Sequence, residues 1–503
     1  MTVIRVEKLN EIHLRFFCED MGVEAELVEY FTYEYPGAKF TPKFRARMWD
    51  GKVRLADPIR KTLYAGLYEY IHKFAEARGY TVEAAEGLFE SDNIEYDEVA
   101  EYANNLQLYA RGEPIDIRDY QLDAINTGLG RRRVVLLSPT GSGKSLIIYT
   151  ISRWLLEKGK KVIVLVPTTA LVEQMYSDFE DYSSFNQWSV EGHCQKLYSG
   201  FPKHFEKDIL FTTWQSAYTM PKQWFQQFDA VIGDEAHQFK SKALTTIMER
   251  MPEVAYRIGT TGSLDDKKIN RLVLEGIFGR VHRVTSTKKL QDEGRLAELK
   301  ITALLLKYPE DIRKKLAPKT VNGSKVTLQY QDEIEFLVLN EKRNKFIRNL
   351  AINCVGNSLV LFQFVEKHGA VLYEMIKEKA GDRPVYFISG DVGVDERERI
   401  RKVLSTQTDA IVIASFGTTS TGINIPSIEN IIFASPSKSI IRNLQSIGRG
   451  LRLNKGKTHC NLYDLTDDLH WKSWKNHTLK HGAERYKLYA SEEFPINLVE
   501  IDL

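Results

Sequence analysis

The stretch Val134-Val135-Leu136-Leu137-Ser138-Pro139-Thr140-Gly141-Ser142-Gly143-Lys144-Ser145 decides the fold. A β-branched and Leu run stops at a Ser-Pro-Thr-Gly turn, and Gly-Lys-Ser then opens an apolar segment, Leu146 to Leu156, that predicts a helix. Strand, glycine-rich loop and helix N-terminus in that order make a phosphate cradle, because loop N–H groups and the positive helix end converge on phosphate oxygens. Ser138, Pro139, Thr140, Gly141, Ser142 and Gly143 form the cradle. Lys144 is placed to reach the β- and γ-phosphates of ATP, and the Ser145 hydroxyl to hold Mg²⁺. One letter departs from the G-x-x-x-x-G-K-[ST] pattern: Ser138 stands where the first Gly is expected.

Downstream of this loop the chain alternates strands with helices, which implies a parallel sheet with its ligand at the strand C-terminal ends. Lys161 to Val166 predicts a buried strand ending in Pro167-Thr168-Thr169, with a helix behind it from Leu171 to Glu180. Asp208 to Phe211 predicts another, ending in Thr212-Thr213-Trp214-Gln215-Ser216. Ala230-Val231-Ile232-Gly233 then delivers Asp234-Glu235-Ala236-His237. An acidic pair after a strand is usually a helix cap, but a phosphate loop 90 residues upstream changes its meaning. Asp234 is assigned to the metal and Glu235 to polarising the attacking water.

A second α/β rhythm follows Gly259-Thr260-Thr261-Gly262-Ser263. Residues 265 to 355 read as mostly helical, with a loop at Pro318 to Lys325. Strands are predicted at Leu359 to Phe364, Val385 to Ile388, Ala410 to Ala414, Ile431 to Phe433 and His459 to Leu462. Helices are predicted at Ile440 to Ser446 and at 467 to 490. Gln445 to Arg452 places Arg449 and Arg452 three residues apart, on one helix face. Two guanidiniums delivered by a second domain suit a transferring phosphoryl group, and they make hydrolysis depend on domain closure.

Ahead of the phosphate loop, residues 39 to 61 hold eight Lys or Arg against two Asp, with Phe40, Phe44 and Trp49 among them. Lys43, Arg45, Arg47 and Lys52 are the nucleic-acid candidates of this patch, since cations meet phosphates and aromatics stack on bases. The aromatics are weighted towards the core. Leu63 to Ala77 reads as an amphipathic helix. From Glu83 to Glu101 eight carboxylates stand with no Lys or Arg, a pattern that reads as a solvated linker. The resulting division is a small α/β domain at 1–80, an acidic linker at 81–112, an α/β domain at 113–263, and a second with a helical tail at 264–503.

The net charge of +2 over 503 residues assigns no partner to the chain as a whole, so any nucleic-acid surface is local. Four scattered cysteines without a C-x-x-C pair argue against a disulfide framework or a zinc site and suit a reducing cytoplasm. No apolar run approaches the roughly 20 residues a membrane helix needs, so a soluble cytoplasmic protein is expected.

The ordered motifs resemble the superfamily 2 helicases of the DEAH-box kind, whose two tandem RecA-like domains clamp ATP between them. The resemblance spans residues 118 to 452. Arg118 to Gln121 resembles the adenine-reading Q-type motif, and Ser138 to Ser145 motif I. Pro167 to Gln174 is similar to motif Ia, and Thr212 to Ser216 to its nucleic-acid-touching neighbour. By that resemblance Pro167, Thr168, Thr212, Thr213, Gln215, Phe362 of a motif IV and Thr421 of a motif V face nucleic acid. Gly422 and Asn424 of the same motif V face the nucleotide, although Asn424 replaces a frequent Asp. Gly262 replaces a common Ala in motif III.

With its basic N-terminal unit and its Thr-Thr-Trp-Gln-Ser segment, the chain looks most like the UvsW recombination helicases of T-even bacteriophages. That resemblance implies an ATP-driven translocase on branched or duplex DNA in recombination, replication and repair, working in the host-cell cytoplasm. The implied reactions are Holliday-junction migration, fork regression and unwinding of D-loops and RNA–DNA R-loops. A single-strand-binding protein or a recombinase is the protein partner to consider. A DEAH-type RNA helicase, or the motor subunit of a restriction-type complex, uses the same engine and is the alternative.

Overall fold

The computed structural model describes residues 2–35, 37–85, 88, 92–200, 204–238, 241–264, 268–321, 324–389, 399, 403, 406–417, 428–436, 451 and 457–503. It divides into two compact units: Met1–Ser138 with Ser142–Thr285, and Ser286–Leu503 with Pro139–Gly141. Each unit holds a seven-stranded parallel sheet, the tandem RecA-like fold expected. Among the described residues no helix is long and apolar enough to cross a membrane.

In the first unit the sheet order is Cys194–Leu197, Ile209–Thr213, Val162–Val166, Ala230–Gly233, Tyr256–Thr261, Arg133–Leu137, Val281–Arg283. Val162–Val166 is buried along its whole length, as a strand covered by helices on both faces must be. The domain runs beyond the expected boundary at 263: the helix Lys268–Phe278 and the edge strand Val281–Arg283 complete this sheet against Val135–Leu137.

The small N-terminal domain is a five-stranded mixed sheet ordered Ala56–Asp57, Thr62–Tyr64, His13–Cys18, Val3–Lys8, Thr81–Ala84. Two expectations fail here. The predicted helix Leu63–Ala77 begins as a strand paired with His13–Arg15, and a 3-10 turn at Ala65–Leu67 leads into the α-helix Tyr68–Glu76. The expected acidic linker is structured: Thr81–Ala84 pairs in parallel with Val3–Val6, and the helix Tyr96–Asn105 packs on Asp119–Arg131. Buried Leu88, Val99, Ala103 and Leu106 supply the apolar surface that the charge run conceals, and Asp92 is neutralised by Arg132 at 2.8 Å.

This small domain shares one continuous apolar core with the first motor domain, in which Leu67, Ile71 and Phe74 join Leu274, Ile277 and Phe278. The two backbones touch at paired glycines. A Cβ on Gly66 would lie 1.9 Å from the Glu275 carbonyl oxygen, and one on Gly276 would lie 2.9 Å from Tyr64 Cβ. Beside them the Tyr70 hydroxyl donates to Glu275 at 2.6 Å and Arg271 pairs with the same buried carboxylate at 2.7 Å.

The second sheet is ordered Val385–Ile388, Ile411–Ser415, Ser358–Phe362, Asn430–Phe433, His459–Asp468, Glu298–Lys307, Ile496–Asp502. The stretch read as mostly helical therefore contains Glu298–Lys307, a ten-residue strand paired on both sides. Lys319–Val321 and Ser324–Val326 pair as a hairpin where a loop was expected. The closing helix is His477–Ser491, and the tail continues into the edge strand Ile496–Asp502. Three buried acids lock this tail. Asp464 holds Arg485 at 2.6 Å, Asp467 holds Arg343 at 2.7 Å, and Glu333 accepts the backbone N–H groups of His477 and Thr478 at the helix start. The predicted helix Ile440–Ser446 lies outside the described residues.

Candidate functional site

The strand Arg133–Leu137 drives the loop to the sheet's C-terminal edge, where Gly141 and Gly143 both adopt φ of +85°. That left-handed backbone favours glycine, and at Gly143 a Cβ would also collide with Gln121 Nε2 at 2.2 Å. Helix Lys144–Glu157 starts directly after it. Ser138, at the position of the missing first Gly, is buried and its hydroxyl hydrogen-bonds that of Ser142 at 2.6 Å. The substitution therefore clasps the loop across its width.

The Q-type stretch braces the same loop. Gln121 is buried, donates to the Ser142 carbonyl at 2.7 Å and accepts from the Arg118 N–H at 3.0 Å, while the Tyr120 hydroxyl also donates to Ser142 O at 3.2 Å. Arg118 donates to the Tyr120 hydroxyl at 2.6 Å. Gln121 is thus fixed on the loop backbone, and Arg118 lies beside it.

Lys144 and the acidic pair meet. Lys144 Nζ lies 3.0 Å from Glu235 Oε1 and 3.5 Å from the Ser138 carbonyl. A methyl on Gly262 would stand 3.2 Å from that ammonium, so the glycine in place of the common Ala leaves the lysine its room. Glu235 takes φ of +47°, a strained backbone for a side chain of this kind. Its Oε2 is sealed from solvent, makes no hydrogen bond among the described residues and lies 3.4 Å from His237 Nδ1. Burial pushes the Glu235 carboxyl up, but the neighbouring Lys144 and His237 outweigh it and hold it below the usual range. Asp234 is moved the other way, by burial and by the Glu235 charge.

Two residues that the sequence reading passed over complete the cluster. Thr260 donates to Asp234 Oδ1 at 2.7 Å, and the Tyr182 hydroxyl lies 2.8 Å from Ser145 Oγ. His237 Nδ1 meets Thr261 Oγ1 at 2.5 Å, so the acidic stretch and the Thr-Gly-Ser turn are in direct contact. Among the described residues no three His, Cys, Asp or Glu side chains gather as a metal cage. Ser145 and Asp234 carry hard oxygens of the kind that could hold Mg²⁺.

The nucleic-acid candidates divide. Lys43, Arg45 and Arg47 are exposed on or just after the short helix Pro42–Arg45, and none makes an ion pair among the described residues. Lys52 is half-buried and lies 3.4 Å from Glu29. Phe40 and Met48 stand out at 78% and 77% exposure, so Phe40 departs from the expectation that the aromatics are core, while Phe44 is half-buried. Trp49 is half-buried, its indole N–H on the Lys52 carbonyl at 2.8 Å. Thr168 caps the helix Thr169–Tyr182, and Gln215 donates to the Pro167 carbonyl at 3.1 Å.

Three residues expected to face nucleic acid are turned elsewhere. Thr212 is fully buried in its strand, and Thr213, also buried, caps the helix Trp214–Tyr218 by accepting from Ser216 N, so neither hydroxyl is presented to a strand of nucleic acid. Phe362 is a core residue stacked on Phe387 with centroids 5.5 Å apart. Thr421, Gly422, Asn424, Arg449 and Arg452 lie outside the described residues.

The chain is similar to known proteins in sequence and fold. Residues 4–84 match the N-terminal family of the DNA helicase UvsW, 114–266 the res subunit of type III restriction enzymes, and 341–454 the helicase conserved C-terminal domain. The ATP-dependent DNA helicase uvsW of Enterobacteria phage T4 is 33% identical over 99% of this chain and 100% of its own. The crystal structure of T4 UvsW aligns over 99% of both chains with a TM-score of 0.53 at 32% identity. A fragment of an HsdR subunit of a type I restriction enzyme from Vibrio vulnificus aligns over 90% of this chain and 76% of its own with a TM-score of 0.57. At 19% identity that match speaks for the fold alone.

Proposed function

This chain belongs to the UvsW family of superfamily 2 DNA helicases, ATP-dependent enzymes, and we propose that it drives branched DNA through junction migration, fork regression and the unwinding of D-loops and R-loops. The observation that carries the proposal is the N-terminal tip. Lys43, Arg45 and Arg47, which make no ion pair among the described residues, lie in sequence between two exposed apolar side chains, Phe40 and Met48, on a domain whose core is continuous with the first motor domain. Cations of this kind displace counterions from duplex arms, and exposed rings stack on bases that a branch leaves unpaired.

In the proposed cycle the loop N–H groups and the start of helix Lys144–Glu157 hold the phosphates of ATP. Lys144 leaves Glu235 for the γ-phosphate. That transfer frees Glu235 Oε1, and the ionised carboxylate orients and polarises the attacking water. Ser145 and Asp234 would hold Mg²⁺, which supplies charge neutralisation of the phosphates when bound. Gln121 and Tyr120 keep the loop backbone in place for successive turnovers. Arg449 and Arg452 are assigned to the transferring phosphoryl group, where arginine fingers contribute about 10³–10⁵ in rate. The work is placed in the host-cell cytoplasm.

The test is ATP turnover across linear duplex, forked, four-way and R-loop substrates and matched single-stranded RNA, with Lys144→Ala as the null control. Forked and four-way DNA should stimulate most. Equal stimulation by linear duplex, or preference for the RNA, would refute the branch-directed reading.

A further inference from the structure

Tyr182 belongs to no helicase motif, yet its hydroxyl is 2.8 Å from the hydroxyl of Ser145. It sits at the last turn of helix Thr169–Tyr182, whose first residue follows the Thr168 cap. Its ring is held edge-on to Tyr149, centroids 5.5 Å apart, and Tyr149 is itself fully buried against Phe179. The adjoining Asp181 accepts the Arg111 N–H at 2.8 Å, which pins that end of the helix. With ring and helix both fixed, the hydroxyl oxygen has one location.

We propose that Tyr182 is a positioning residue that aims the Ser145 hydroxyl at Mg²⁺, an inference that rests on reading Ser145 as a metal ligand. A serine hydroxyl has one proton and two lone pairs. When Ser145 donates its proton to Tyr182, both lone pairs are left for the cation. A cation bound to Ser145 Oγ polarises the O–H and strengthens that same donation, the way an outer partner orients a metal ligand. Without an acceptor there, the hydroxyl samples its other staggered rotamers and presents its lone pairs to the metal only part of the time. The device also joins two ends of one helix. Thr168, a nucleic-acid candidate, caps one end, and Tyr182 reaches the metal ligand from the other.

The experiment titrates Mg²⁺ against the affinity of a fluorescent ATP analogue in full-length protein, comparing parent, Tyr182→Phe and Ser145→Ala. Phenylalanine keeps the ring against Tyr149 and removes only the hydroxyl. The Mg²⁺ concentration for half-maximal binding should rise about three- to tenfold in Tyr182→Phe, the span of one ordinary hydrogen bond. Analogue affinity in EDTA should be unchanged, which a merely structural defect would not permit. A Tyr182→Phe titration that overlays the parent, while Ser145→Ala is shifted, overturns the inference and leaves the metal-ligand reading intact. No shift in either variant overturns that reading, and the inference with it.

Discussion

Replacing Lys43, Arg45, Arg47 and Lys52 together by alanine should flatten the salt dependence of forked-DNA binding by about 3 log–log units, at about 0.9 per cation that displaces a counterion. The structure sets this magnitude. Lys43, Arg45 and Arg47 are exposed, make no ion pair among the described residues and count fully, whereas Lys52 is half-buried with Glu29 3.4 Å away and contributes only in part. Over a fourfold rise in salt, such a slope is worth a factor of about 60 in affinity. The assay is fluorescence anisotropy of a labelled fork at a series of KCl concentrations, with linear duplex and single strand alongside. The variant should lose most affinity at low salt and little at high salt. Basal ATP turnover should persist, because the tip lies in the small N-terminal sheet domain and the Lys144–Glu235 pair in the first motor domain. A slope within about one unit of the parent would mean that the tip meets at most one phosphate, and the reasoning would fail.

Glu235→Gln should keep nucleotide binding, and it frees Lys144 from the 3.0 Å ion pair, so affinity for an ATP analogue should hold or rise. Hydrolysis should fall by about 10²–10⁴, the usual worth of a general base, and a loss of binding instead would reverse the roles of Asp234 and Glu235. His368 is fully buried, bonded to Ser435 at 2.9 Å, and burial together with the Arg343 charge pushes its ionisation down to about 3. Folded His368 thus resists protonation that the unfolded chain accepts near pH 6.5. Stability from this group is complete above that pH and is lost as pH falls towards 3, at about 1.4 kcal/mol per unit and about 2 kcal/mol by pH 5. Chemical denaturation of parent and His368→Gln from pH 7.5 to 5 should show the slope only in the parent; parallel curves would refute it.

What could be read from the sequence was whatever phosphate chemistry constrains. Gly143 must be glycine for its backbone and for Gln121, and Lys144 and Glu235 sit where a strand end puts them, so their meeting follows from the alternation of strands and helices. Motif position says nothing about burial, which is why Thr212 and Phe362 were misplaced: their strands turn them inward. Thr81–Ala84 was hidden by charge, because a strand with exposed edges needs only a few inward apolar groups. Glu298–Lys307 was hidden between helical neighbours, although its pairing on both sides makes it internal to the sheet. Tyr182 left no signal at all. It is 37 residues from Ser145, and only the packing of two helices brings the hydroxyls together.

The paired glycines Gly66 and Gly276 decide how the small domain can be handled in the laboratory and what it can do in the cell. With backbone against backbone and Glu275 clamped between Tyr70 and Arg271, there is no slack at this seam. Cutting the chain after residue 84 would strip cover from Leu274, Ile277 and Phe278 and leave a sticky motor, so a deletion phenotype would report aggregation as readily as lost DNA contact. Changes at the exposed tip are the cleaner instrument. The same seam leaves the small domain no hinge of its own here, because it and the sheet that carries the phosphate loop close over one apolar core.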